Sequence, residues 1–148
     1  MPVSRAEAAA VLAATVEAWL ADPENDVVYS EEVDGYLVIR MRQAVRDFTS
    51  VWFMVGERSI QIEAYVLPPP DDDHSAVFRQ CLVRNRKAWR VHYMVGQDGG
   101  LVLHGRLANE VVNSSELSLL LAEIYEAIEV GFRPLIRAGW PTETGREK

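Results

Sequence analysis

"DFTSVWFMVGERSIQIEAYVL", residues 47–67, decides the fold of this chain. Two runs rich in β-branched and aromatic residues, 47–55 and 59–67, flank Gly56-Glu57-Arg58, which is the pattern of a hairpin. A connection of two or of four residues gives the same pairing, with Val55 opposite Ile60 and Phe53 opposite Ile62. One face then collects Val51, Phe53, Val55, Ile60, Ile62, Ala64 and Val66. Alternate residues share a face, so this apolar set must be covered by another layer. The opposite face carries Trp52, Met54, Gln61, Glu63 and Tyr65 and is mixed.

The elements on either side extend the sheet. Upstream, "GYLVIRMR" (35–42) alternates, with Leu37, Ile39 and Met41 on one face and Tyr36, Val38 and Arg40 on the other. "DVVYS" (26–30) reads as an optional short strand. Ser4 with Glu7 forms a capping box, and Ala9, Leu12, Ala13, Val16 and Leu20 recur at helical spacing up to Pro23. Downstream, Pro68, Pro69 and Pro70 lack the amide a ladder needs and end the strand at Leu67. Asp72 or Asp73 then caps a helix whose expected buried stripe is Val77, Phe78, Cys81 and Leu82. A second hairpin pairs "RVHYMV" (90–95) with "GLVLHGRL" (100–107). A long helix follows from Asn113, with the stripe Leu117, Leu120, Leu121, Ile124, Ile128 and Phe132, and Pro134 is expected to kink or end it. The last eight residues, 141–148, read as a frayed polar tail.

The order α-β-β-β-α-β-β-α predicts an α+β fold, an antiparallel sheet of about five strands with three helices, in one domain over 1–148. Hydrophobic residues make up 49% and charged residues 25%, with a formal net charge of −7. An acidic chain is a poor match for nucleic-acid phosphates or an anionic membrane, so neither partner is expected. A single cysteine, Cys81, rules out an internal disulfide and fits a reducing compartment. The amphipathic N-terminal segment lacks the apolar block of a signal peptide, and a cytoplasmic location is expected.

Few residues point to chemistry. Asp71, Asp72, Asp73 and His74 stand where helix capping explains them, and the Gly-punctuated spacing of a calcium loop is absent. His92 and His104 share a hairpin. A turn at Asp98-Gly99 would set Tyr93 opposite His104 and send His92 to the other face. No further Cys/His cluster completes a zinc site, Cys81 reads as a core thiol, and phosphate-loop, nucleophile-elbow and metalloprotease motifs are missing. No catalytic residue, metal or cofactor is therefore expected. Arg84, Arg86, Lys87 and Arg90 form the best basic patch, able to steer an acidic partner. The second sheet face combines Trp52, Met54 and Tyr65 with Tyr36, Val38 and Arg40, and with Tyr93, His104 and Arg106. Aromatics, Met and Arg are the composition of an interface core. The face is an interface unless a helix covers it, in which case it is core.

From about Tyr36 to Trp140 the chain resembles the YbjN-domain family of bacterial sensory-transduction regulators, its actinobacterial members most of all. The resemblance rests on "YLVIRM", "AYVLPPPDDDHSAVFRQCLVRNRKAW", "VHYMVGQDGGLVLHGRL" and "SSELSLLLAEIYEAIEVGFRPLIRAGW". It implies a fold like that of type III secretion chaperones, often dimeric and binding extended segments of other proteins, with no enzymatic residue set to carry over. The expectation is a non-enzymatic, chaperone-like interaction or regulatory module, as a homodimer. Its partner protein would meet Trp52, Met54, Tyr65 and Tyr36, with Arg40 or Arg106 as orienting charges. The alternatives are a small-molecule or metal-binding protein or enzyme using His74, His92, His104 and nearby acids, or a structural subunit of a larger assembly.

Overall fold

The computed structural model describes residues 3–140, so the expected tail at 141–148 lies outside the described residues. The chain runs α1 (Arg5–Ala21), β1 (Val27–Val33), β2 (Tyr36–Arg42), β3 (Phe48–Val55), β4 (Ser59–Leu67), α2 (His74–Asn85), β5 (Val91–Val95), β6 (Leu101–Ala108), a 3-10 turn (Asn109–Val111) and α3 (Ser114–Gly139). The six strands form one antiparallel sheet in the order β1-β2-β3-β4-β6-β5. The α+β class and the element order match the sequence reading. The strand count of about five does not, because 27–33 pairs in full with β2 around Asp34-Gly35. Both turn residues have positive φ, 49° and 85°, which suits the twist of a two-residue hairpin.

The β3–β4 register is the expected one, Val55 opposite Ile60 and Phe53 opposite Ile62. Val51, Phe53, Ile60, Ile62, Ala64 and Val66 are buried, and Val55 packs against them partly buried. All three helices contribute to that same core, so they cover one face of the sheet. Helix α1 buries Ala8, Leu12, Thr15, Val16 and Trp19, a stripe rotated from the expected one, and leaves Leu20 exposed. Its alanines carry no strong phase. Thr15 satisfies its own hydroxyl by donating to the Val11 carbonyl (2.8 Å), and the Trp19 indole donates to Ser118 Oγ (3.1 Å). Both polar groups can therefore be buried without an unpaired donor.

Helix α3 ties the layers together. It continues through Pro134 to Gly139, past the expected break. Its Glu129 carboxylate accepts from Gln43 Nε2 (2.7 Å) and from the amides of Ala44 (2.8 Å) and Val45 (3.2 Å), which holds the β2–β3 connection. Its Glu116 and Glu123 bracket Arg90 at 3.0 and 2.7 Å and fix the entry to β5. Gly131 allows the close approach of β5, since a Cβ there would lie 2.6 Å from the Tyr93 hydroxyl. Arg46 reaches the carbonyls of Tyr65 (2.7 Å) and Val66 (2.6 Å) with its charge over the Phe132 ring, 5.1 Å from the centroid.

Asp73 is the N-cap of α2, accepting from the Ala76 amide (3.2 Å), so the aspartate run does serve as helix punctuation. The expected stripe on α2 needs correction. Val77 and Cys81 are buried and Phe78 partly so, but Leu82 is 71% exposed. The helix also stops at Asn85, whose side chain leaves to clasp the outer edge of β5. It donates to the Tyr93 carbonyl (3.0 Å) and accepts from the Tyr93 amide (2.7 Å), so one side-chain amide stands in for a neighbouring strand.

Two outcomes test this architecture. Phe53→Ala removes a fully buried ring beside the outward Trp52 and should cost about 3–5 kcal/mol in a denaturant melt. Burial alone would raise the Glu129 pKa, but its three hydrogen bonds and nearby Arg133 outweigh that and hold it below the ordinary carboxylate range. A depressed carboxylate stabilises the fold above the unfolded-state titration range and loses that contribution as pH falls through its own lower pKa. Glu129→Gln should therefore lower stability near neutral pH and shrink the difference from wild type on acidification, read by melts across pH 2–6 (about the span of carboxylate titration).

Candidate functional site

The face of the sheet opposite the helices is uncovered. Its side chains line up in cross-strand rows set by the ladder. One row runs Glu31, Val38, Trp52, Glu63, His104, His92 across all six strands. Gln61 lies between Met54 on β3 and Arg106 on β6, and Tyr65 stands opposite Val102, which is followed by Met94. Residues directly opposite on one face are close enough to touch, so each row is a contiguous surface.

Of the expected site residues, Trp52, Met54, Tyr65, Tyr36, Arg40 and Arg106 all stand on this face. The Tyr36 ring meets Trp52 edge-on, centroids 5.4 Å apart at 79°. Such a pair adds roughly 0.5–1.5 kcal/mol beyond its buried area and keeps both rings from rotating freely. Trp52, Tyr36 and Val38 pack together on adjacent strands, and Val38 is buried although no helix lies over it. Met54 and Tyr65 are exposed. The sequence reading was undecided between interface and helix-covered core, and no helix lies over these side chains.

Arg40 has a setting the sequence reading missed. Its guanidinium lies 5.3 Å from the Tyr29 ring centroid and 5.6 Å from that of Phe48, both rings exposed. Cation–π contact with two rings positions the charge without neutralising it. Tyr29 in turn donates its hydroxyl to Glu31 (3.1 Å), and that bond, with the charge of Glu31, raises its pKa. The signal for Tyr29 was in the sequence. Asp34-Gly35 is a hairpin turn, and taking it as one places Tyr29 opposite Arg40.

Tyr93 is corrected. It is buried on the helix side and donates its hydroxyl to the Ala127 carbonyl (3.2 Å), with its pKa pushed up to about 12, chiefly by burial. The β5–β6 connection is a wide loop closed by the Gly96 amide on the Gly100 carbonyl (2.8 Å), so Val95 pairs with Leu101. This is one residue out of the expected register, and a one-residue slip exchanges the faces. His92 thus sits opposite His104 on the open face, where His104 Nε2 lies 3.4 Å from Gln61 Oε1.

The histidines do not converge. His74 begins α2 on the helix side, stacked edge-on against Phe78 at 5.9 Å, whereas His92 and His104 lie on the outer face. Among the described residues no group of three or more His, Cys, Asp or Glu could hold a metal ion. No described helix is long and apolar enough to cross a membrane. Burial pushes the Cys81 thiol up to about 11, with Arg84 only partly opposing, which leaves little thiolate to act as a nucleophile.

This sheet, with its helices on one side and an aromatic, Met- and Arg-bearing surface on the other, has the form of a protein-interaction domain. The chain belongs to the YbjN family, whose model, described as "Putative bacterial sensory transduction regulator", matches residues 12–137. It is similar to the uncharacterised protein ML2442 of Mycobacterium leprae, 32% identical over 121 residues, which are 80% of this chain and 66% of that protein. It is also 32% identical over 93 residues to the uncharacterised protein Rv0487 of Mycobacterium tuberculosis, 63% of this chain and 51% of that one. The chain thus spans between half and two-thirds of the curated relatives it matches. Among solved structures, the heterodimeric ExoU–SpcU complex from the type III secretion system of Pseudomonas aeruginosa contains a similar chain. It is 19% identical with a TM-score of 0.48, over 84% of this chain and 98% of that one.

The raised thiol pKa yields a direct check. Cys81 should react with Ellman's reagent at pH 8 far more slowly in the native protein than in denaturant, and fast native labelling would show that the thiol is accessible and ionised.

Proposed function

We propose that this protein is a chaperone-like interaction or regulatory module that works by binding a segment of a partner protein, without catalysis of its own. The observation that carries this reading is the open sheet face. Three helices crowd one side of six strands, and the other side keeps Trp52, Met54, Tyr65 and Tyr36 toward solvent beside Arg40 and Arg106. Large apolar side chains stay exposed in such a cluster when another surface covers them in use. Trp52, framed by Tyr36 and Val38, is the natural anchor, and Arg40 and Arg106 orient a segment carrying acidic or carbonyl oxygens. The protein acts in the cytoplasm and as a homodimer, and the family's description as a regulator agrees with a binding role.

The test is an affinity capture from native-cell lysate with wild type and Trp52→Ala side by side, together with a thermal melt of each. Trp52→Ala should weaken capture of the specific partner by about 2 kcal/mol or more and leave the melt nearly unchanged. A Trp52→Ala variant that unfolds would show that this residue is core and defeat the surface assignment. A metabolite or metal that co-purifies in place of a protein would defeat the interaction reading.

A further inference from the structure

Helix α2 is apolar on two sides. Val77 and Cys81 face the core, while Leu82 (71% exposed) and Val83 (51%) turn outward with nothing over them. Trp89 (76% exposed) follows the helix, and Val130 (53%) faces it from α3. Two hollows share Val83. One, of about 610 Å³, lies between the end of α2, β5 and α3; the other, of about 580 Å³, runs over Phe78, Arg79, Leu82 and Arg86. A helix that is apolar on its outer side as well is built to be covered there too.

The charges round these hollows are one-sided. Arg79, Arg84, Arg86 and Lys87 form no ion pair among the described residues, and the Arg84 Nε is buried without a hydrogen-bond partner. On the α3 wall Glu123 is taken up by Arg90, which leaves Glu126 as the one acid lining the hollow without a described ion pair. In a chain of net charge −7, this is a local positive patch around an apolar trough. It fits an acidic, apolar-studded partner. Strand addition at the adjacent β5 edge is blocked at Tyr93 by Asn85. A second copy docked across a two-fold axis would set the same cations against one another.

We propose that the α2–α3 trough is a second docking surface, independent of the open sheet face, for an acidic amphipathic helix of a partner protein. Leu82, Val83, Trp89 and Val130 would seat its apolar stripe, and Arg79, Arg86 and Lys87 its flanking carboxylates.

The probe is a fluorescein-labelled peptide of about 18 residues, with Leu at helical spacing and Glu on its polar face, and a Lys-for-Glu counterpart, both read by anisotropy. Wild type should bind the acidic peptide, more weakly as salt rises, and not the basic one. Leu82→Ser and the double variant Arg86→Ala/Lys87→Ala should each weaken binding by about tenfold or more, while Trp52→Ala binds as wild type. Leu82 and both cations are exposed, and thermal melts verify that the variants fold. The proposal falls if the acidic peptide does not bind, if both peptides bind alike, or if neither variant changes binding. It falls equally if sedimentation shows a wild-type dimer that Leu82→Ser dissociates, because the face then belongs to a second copy. Binding to phosphatidylserine vesicles without binding to the acidic peptide would assign the patch to a lipid surface and overturn it too.

Discussion

The pairing of Phe53 with Ile62, and of Val55 with Ile60, is the constraint on which the rest depends. Side chains alternate along a strand, so this register sends Val51, Phe53, Ile60, Ile62 and Ala64 toward the helices and Trp52, Met54, Glu63 and Tyr65 away from them. A shift by one residue would exchange the two sets. The buried set would then face water, and the aromatic surface would be driven under α1 and α3. The core and the open face are therefore two consequences of one choice.

Helix α3 converts that sheet into a fixed object. It supplies the longest apolar stripe and also three glutamates that reach the chain at separate places. Glu129 gathers the β2–β3 connection, and Glu116 with Glu123 holds Arg90 at the start of β5. Arg90 is raised in pKa, chiefly by its hydrogen bonds to Glu116 and Glu123, while Glu116 is lowered by the bond it accepts, as expected for groups each stabilising the other's charged form. These contacts fix the ends of strands whose middles are held by the ladder. In consequence the open face stays a rigid platform, which limits the ordering cost of binding there.

The two outward surfaces differ in kind. The sheet face is broad and of mixed polarity, with cations presented over rings and the histidine pair at one end. The α2–α3 trough is narrower, apolar along its floor and bordered by unpaired cations. An extended segment suits the former and a helix the latter, so one molecule could hold two parts of a partner at once, with the gain in effective concentration that linkage brings.

Much of this was legible in residues 47–67, in the capping signals at Ser4, Asp73 and Asn113, and in the stripe from Leu117 to Ile128. Local rules govern them: alternation, caps, and the spacing of apolar residues on a helix. The misreadings came where local pattern leaves a phase open. The alanine-rich α1 could turn either way until Trp19 found Ser118. Tyr93 was set on the wrong face because the width of the glycine-rich 96–100 loop depends on how β5 packs against α3. Leu82 reads as core by periodicity, yet α2 has only one side against the sheet and spends it on Val77 and Cys81. By itself, then, the sequence determined the elements, their order and the division of each strand into two faces, since these follow from neighbours along the chain. Only the tertiary structure decided that all three helices share one side of the sheet and that the aromatic face and the outer side of α2 remain open, because coverage is a matter of which surfaces meet in space.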